Sequence, residues 1–396
     1  YAVSLADALL AAPSGSDGDD AAPARDVSIL TFRRYYPRWL YPGGDPLDAT
    51  AQPPSIHGLT VDPLIDFNNP LNWRRTGEQL DVDILHLQHW SWPLGAVWRG
   101  IIRGYRSSRP NGRVVLTLHN PAMHNAGTGL FARIKQAVYR SPLPLCDAII
   151  VHNQRMADAL TAHYPRLPVS VIDHIPIAPP SGSSVLNRWR KDGAAALRSE
   201  LNLPTDRRIA LFFGNIRPYK GLEIAVDAIA GANANAGNWA LAVVGDPWMD
   251  VTTYQRQAKT LGIADTIIWR LGYQPEDVLL SYLLAADAVL LPYRDFDSSS
   301  GAITLAGWSG SPVLASDLPG LTLPGHNGWV RLPPLDAAAW ANALKGLQTA
   351  PLDDATRSAQ LDAYAAVVAS QRQDVADAHW ATYATALNNK KFCANS

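Results

Sequence analysis

RIALFFGNIRPYKGLEIAVDAI (208–229) decides the fold. Its apolar start reads as a strand buried on both faces. The run ends at Gly214, where a chain turning sharply into a loop wants freedom in φ. The loop GNIRPYKG (214–221) then opens directly into a helical stretch. In a doubly wound sheet, ligands sit beyond the carboxyl ends of the strands, where this loop falls. Backbone amides at a helix N-terminus attract phosphate. Arg217 and Lys220 add fixed positive charge to the same loop, which suits a diphosphate. A solvated loop carrying two surface cations is the competing reading.

Further strands follow the same pattern on both sides. Downstream are WALAVVG (239–245), TIIWRLG (266–272), DAVLLPY (287–293) and PVLASDL (312–318). Upstream are DVSILTF (26–32), ILHLQHW (84–90), RVVLTLHN (113–120), DAIIVHN (147–153) and VSVIDHI (169–175). Helical stretches near 94–107, 129–140 and 154–163 separate the upstream strands. Strands alternating with helices argue for parallel sheets with right-handed crossovers. IAPPSGSSV (177–185), rich in Pro, Ser and Gly, reads as a linker. The expected fold class is therefore α/β, with two Rossmann-like domains: 1–178, then 179–375, with 376–396 as a final helix and tail packing back on the first. The chain opens on YAVSLADALLAA (1–12), an amphipathic helix, so the usual opening strand and glycine-rich turn are expected to be missing from the first domain. APSGSDGDDAAPARD (12–26) reads as an acidic surface loop.

The 396 residues suffice for two such domains, and 47% hydrophobic against 17% charged residues lets each bury a core. Lys plus Arg number 34 and Asp plus Glu 35, so the basic excess of a nucleic-acid binder is absent and no nucleic-acid partner is expected. The two cysteines, Cys146 and Cys393, imply no disulfide framework and fit a reducing compartment. No apolar run approaches 18 residues, and no signal peptide is visible. The expected location is the cytoplasm.

Three more constellations carry chemistry. RDFDSSSGAITLAGWSGSPVLASDLPG (294–320) follows a strand ending in LLPY. Ser298, Ser299 and Ser300 precede Gly301 at the start of a helix running to about Trp308; small residues there let an anion approach the amides. Asp297 can accept hydrogen bonds from sugar hydroxyls. An ordinary capped helix is the plainer alternative. VVLTLHNPAMHN (114–125) sets His119, Asn120 and His124 after an apolar strand. LHLQHWSWP (85–93) offers His86 and Gln88 on one face and His89 on the other. These histidines lack any HExxH-like spacing, so no metal site is expected.

FFGNIRPYKGLEIAVDAI, ALAVVGDPW, RLGYQPEDVLLSYLLAADAVLLPYRDFDSSSG and GSPVLASDLPG, in this order and spacing, resemble the donor domain of the family-four (group 1) glycosyltransferases of the GT-B fold. YYPRWLYPGGDP (35–46), LHLQHW, LTLHN and CDAIIVHN resemble the first domain of bacterial polysaccharide-type members. The resemblance spans about residues 1 to 388. It implies two domains facing each other across a cleft, a nucleoside-diphosphate sugar on the second and a saccharide or lipid-linked saccharide acceptor on the first. No cofactor or metal is implied beyond the nucleotide-sugar substrate. Lys220 matches the family's loop lysine on the diphosphate. Asn215 stands where the family has arginine, and Arg217, two residues on, is the substitute. Gly214 opens that loop, Ser299, Ser300 and Gly301 supply diphosphate-binding amides, and Tyr273 stands where the base is met. His119 and Asp297 fall at the reacting sugar, with Asn120, His124 and His89 on the acceptor side. The family's second carboxylate, eight positions after Asp297, is here Leu305. The alternatives are a non-catalytic relative acting as partner or scaffold and a nucleotide-sugar epimerase of the same fold. FARIKQAVYR (131–140), basic and amphipathic, adds an anionic membrane surface as a possible partner, with an ordinary surface helix as the alternative.

Overall fold

The computed structural model describes residues 1–12, 26–35, 56–119, 129–179, 183–234, 236–296, 300–349 and 352–388. They form two compact units. One contains the described residues of Tyr1–Pro37, Gln52–Ile175 and Gln371–Ser396, and the other those of Pro176–Ser370.

The first unit runs α1 (Ala2–Ala11), β1 (Ser28–Arg34), β2 (Thr60–Asp66), α2 (Pro70–Gln79), β3 (Ile84–His89), α3 (Leu94–Ser108), β4 (Arg113–Leu118), α4 (Leu130–Arg140), β5 (Ala148–Val151), α5 (Gln154–His163) and β6 (Val169–Val171). Strands β3-β4-β5-β6 form a four-stranded parallel sheet in sequence order, and β1 pairs with β2 in a separate parallel ribbon. β4 is apolar at nearly every position because both of its faces are covered. Val114 and Leu116 meet α3 through Val97 and Ile101, whereas Val115 meets Leu5 and Leu9 of α1 and Val375 and Tyr383 of the last helix. The opening helix therefore closes one face of this sheet. Helix starts follow local capping: the Asn69 side chain accepts from Leu71 and Asn72 amides ahead of Pro70, and the Asn153 side chain accepts from Met156.

The second unit runs α6 (Ser184–Glu200), β7 (Arg208–Phe213), α7 (Leu222–Asn233), β8 (Trp239–Gly245), α8 (Thr252–Thr260), β9 (Ile267–Leu271), α9 (Glu276–Ala285), β10 (Ala288–Leu291), α10 (Gly301–Gly307), β11 (Val313–Ser316), β12 (Trp329–Leu332), α11 (Ala337–Thr349) and the first part of α12 (Asp354–Asn388). Its six strands are parallel in the order β12-β11-β10-β7-β8-β9, the doubly wound arrangement. The last helix starts at Asp354, well before the expected 376, because the Asp353 carboxylate accepts the Thr356 amide at 2.6 Å.

One device recurs in both units. Asp147, just before β5, accepts the Val114 amide at 2.7 Å and Arg106 at 2.8 Å. Asp287, just before β10, accepts the Ile209 amide at 2.6 Å and Arg198 at 2.7 Å. Each carboxylate ties a strand to its neighbour and holds a helix arginine. Asp147→Ala leaves the buried Val114 amide without its acceptor and takes the carboxylate from Arg106, which keeps Leu145 O, so it is expected to cost roughly 2–3 kcal/mol. Urea denaturation measures this, and an unmoved midpoint contradicts it.

Candidate active site

In the second unit the strand order reverses between β7 and β10, and the loops that follow these two strands are the ones with chemistry. They are fastened together. The Arg294 amide donates to Tyr219 O at 2.7 Å, and the Arg294 guanidinium pairs with Glu223 at 2.6 Å. Tyr219 stacks on Phe296 and meets Tyr293 edge-on, with ring centroids 5.6 and 5.4 Å apart. Gly221 has φ +69°, and a Cβ there would sit 1.9 Å from Pro292 O, so no side chain fits. A Cβ on Gly214 (φ +88°) would approach the Lys220 ammonium to 2.8 Å.

Lys220 is 6% exposed. Its Nζ donates to Phe213 O at 3.3 Å and lies 5.5 Å from the Tyr293 ring centroid. Among the described residues no carboxylate pairs with it. Burial, and then the charge of Arg217, bring its pKa down to about 7. Arg217 stacks on Trp248 with its guanidinium 3.8 Å from the ring centroid, and its Nε is buried without a hydrogen-bond partner among the described residues. The Ile216 amide donates to Asp246 O at 2.8 Å, and this bridge carries Arg217 to Trp248. Two cations thus share one loop with few acceptors of their own. A bound anion is what such a pair favours electrostatically.

Asn215 is exposed on this loop, and Tyr273, 61% exposed, directly follows Gly272. Ser300 is buried at the start of α10, its hydroxyl making no capping bond, and Gly301 is the first residue of that helix. Asp297 and Ser299, like Asn120 and His124, lie outside the described residues. Leu305 packs against the core formed by α6, α9 and α10.

In the first unit, polar side chains line the carboxyl ends of all four strands, in strand order: Gln88 on β3, His119 after β4, His152 after β5 and His174 after β6. His119 Nε2 lies 2.8 Å from Gln88 Oε1, and His119 Nδ1 lies 3.1 Å from His152 Nε2. His152 Nδ1 lies 3.0 Å from Ile172 O, and the His174 ring centroid is 5.1 Å from that of His152. Burial, and then the neighbouring His152 and His174, hold His119 far below the usual imidazole range, so it is neutral. Among the described residues no three His, Cys, Asp or Glu side chains are arranged to hold a metal ion.

His89 needs correction. It is fully buried, stacks on Tyr139 at 4.4 Å and donates from Nε2 to Tyr139 O at 2.9 Å. It packs in the core on the side of the strand away from Gln88, and burial lowers its pKa to about 4. Sequence reasoning missed His152, His174 and Trp248. The signal for the two histidines was present in the strand ends IIVHN and VIDHI, each of which carries a histidine after its apolar run as LTLHN does.

The two α/β units with parallel sheets have the fold of GT-B glycosyltransferases. HepE from Anabaena, solved with UDP and glucose, superposes with a TM-score of 0.56 at 18% identity, over 83% of this chain and 85% of that one. WaaG, a glycosyltransferase involved in lipopolysaccharide biosynthesis, gives 0.53 at 15% identity over 89% and 95%. Two family models match the sequence, "Glycosyltransferase Family 4" over residues 26–176 and "Glycosyl transferases group 1" over 207–349. The chain thus resembles the group 1, family-four glycosyltransferases over both matched segments. Over 186 residues it is 34% identical to the D-inositol 3-phosphate glycosyltransferase of Nocardia farcinica, covering 44% of this chain and 40% of that one. Over 199 residues it is 29% identical to the GDP-mannose:glycolipid 4-beta-D-mannosyltransferase of Xanthomonas campestris pv. campestris, covering 47% and 53%. The chain thus matches about half or less of the length of these curated relatives.

Proposed function

We propose that the protein transfers a sugar from a nucleoside-diphosphate donor to a saccharide or lipid-linked saccharide acceptor, in the synthesis of a bacterial polysaccharide or glycoconjugate. The observation that carries this reading is the cation pair Lys220 and Arg217, held at the point where the second sheet reverses its strand order. The diphosphate is the leaving group, and its negative charge grows as the sugar departs. Arg217, together with Lys220 once the diphosphate has drawn a proton onto it, stabilises that charge from groups already in place. Asn215, Ser299, Ser300 and Gly301 complete the diphosphate site in this account, Tyr273 meets the base, and Asp297 holds sugar hydroxyls. His119, with Asn120 and His124 beside it in sequence, serves the reacting sugar and acceptor.

Because two basic side chains and backbone amides offset the diphosphate charge, no divalent cation is required. Sugar transfer, measured as nucleoside-diphosphate release in the presence of acceptor, is expected to survive EDTA. Loss with EDTA and recovery with Mg²⁺ or Mn²⁺ contradicts the metal-free account. No release from any nucleotide sugar, with any saccharide or glycolipid acceptor tried, contradicts the activity itself.

The proposed place of action is the cytoplasmic face of a membrane. Helix α4 favours this: Leu130, Phe131 and Ile134 are 75%, 65% and 50% exposed, beside Arg133, Lys135 and Arg140. Among the described helices none is long and apolar enough to cross a membrane, whereas a basic helix with an exposed apolar face can lie in its interface. Each basic residue near an anionic surface adds about 1 kcal/mol. Co-sedimentation is expected with anionic vesicles and to weaken with salt. Equal recovery with neutral vesicles overturns the membrane reading.

A further inference from the structure

We propose that His152 fixes the tautomer and orientation of His119, so that Nε2 of His119 stays unprotonated, an acceptor that the Gln88 amide holds until a substrate hydroxyl takes its place. The inference deepens the proposed role of His119 and rests on it. Three hydrogen bonds run in line from Ile172 O through His152 and His119 to the Gln88 amide. Two neutral imidazoles bring two ring protons. A carbonyl oxygen can only accept, so the first proton sits on His152 Nδ1. His152 Nε2 is then a lone pair, and the second proton must sit on His119 Nδ1. His119 Nε2 is left as an acceptor.

This assignment decides the Gln88 amide as well. An oxygen at 2.8 Å from a bare Nε2 is repulsive, so the amide turns its NH₂ toward His119 and its oxygen toward His86 Nε2, 3.4 Å away. The rest of the network accepts the change. His86 Nε2–H donates to Thr117 Oγ1 at 2.8 Å, and His86 Nδ1 accepts from the Tyr383 hydroxyl at 2.7 Å. The alternative, a third proton on the line, makes one imidazole cationic. The ionisable groups around the pair oppose that: Tyr1 ahead of α1, His86 from β3, His174 after β6, and His379 and Tyr383 from α12 are neutral or repel a cation. Asp173 is the nearby carboxylate that favours charge on His152, and burial outweighs it.

A histidine side chain free in water favours the proton on Nε2, so removing the His152 acceptor should switch His119 to that form. The test is a long-range ¹H–¹⁵N correlation spectrum of protein labelled with ¹⁵N-histidine, near neutral pH, with His119→Gln identifying the His119 signals. The wild-type protein is expected to show His119 protonated at Nδ1. His152→Phe keeps the ring volume but cannot accept, and should move the proton to Nε2. His152→Gln keeps an acceptor and should retain Nδ1–H. In sugar transfer, His152→Phe should lower kcat roughly ten- to hundredfold, as when a partner orienting a functional imidazole is lost, leave KM for the donor unchanged, and be largely rescued in His152→Gln. His119 protonated at Nε2 in the wild-type protein overturns the inference without need of any variant, as does an unmoved tautomer in folded His152→Phe. Spectra that follow the expectation while His119→Ala retains full kcat would instead refute the role of His119 and leave the tautomer assignment standing.

Discussion

His119→Ala is expected to lower kcat for sugar transfer by about 10²–10⁴, the range for a side chain acting in the transition state. Affinity for the nucleoside diphosphate should stay near the wild-type value, because the residues proposed to bind the diphosphate belong to the other unit. The ring stands at the end of β4, tied to Gln88 and His152, and takes no part in the apolar clusters of its unit. In a retaining transfer it would orient the sugar and stabilise separating charge; in an inverting one, its unprotonated Nε2 would take the acceptor proton once the acceptor hydroxyl displaces the Gln88 amide. Product stereochemistry separates these routes. A folded His119→Ala protein with near wild-type kcat removes His119 from the reaction.

Lys220→Ala is expected to weaken nucleoside-diphosphate binding by roughly 1.5–3 kcal/mol, the range for hydrogen bonds to charged groups, or about ten- to hundredfold in Kd. The same substitution should not destabilise the free protein at neutral pH in the way loss of an ion pair would. Lys220 has a depressed pKa in the fold, so between about 7 and the usual lysine value the unfolded chain binds the proton that the folded chain has given up. Stability therefore rises with pH across that window, and the cost of the buried cation is fully present below about 7. Unchanged affinity in calorimetry of Lys220→Ala would remove the residue from the site.

Most of the second unit could be read from sequence because its four central strands are buried on both faces and end at glycine or at a loop. WALAVVG and LLPY announce both the strand and its carboxyl end. The first unit was less open. β2, TVDPLID, carries two acids and a proline, which argue against a strand; it forms because it has only β1 as its partner. β12, WVRL, is too short to show a period. The side chains at the candidate sites divide in the same way. Lys220 and Arg217 lie within one loop, so spacing alone brought them together. The line Gln88–His119–His152 depends on β3, β4 and β5 being neighbours in that order, and Trp248 reaches Arg217 only through the bridge between Ile216 and Pro247. His89 shows the limit of a one-residue step: it sits next to Gln88 in sequence and, by strand alternation, in the core on the opposite side.

In the proposed function the β7 and β10 loops form an anion site, and its buried lysine becomes charged when a diphosphate binds. The direct measurement is isothermal calorimetry of UDP, GDP, ADP and dTDP with the wild-type protein and Lys220→Gln, across pH 7 to 9. A diphosphate raises the pKa of the lysine it meets, so binding takes up a proton wherever free Lys220 has lost one. At least one nucleotide should therefore bind, with affinity falling by up to about tenfold per pH unit above pH 7, and the slope should vanish in Lys220→Gln. Binding with no pH dependence, an equal slope in the variant, or no binding of any of the four would contradict the account.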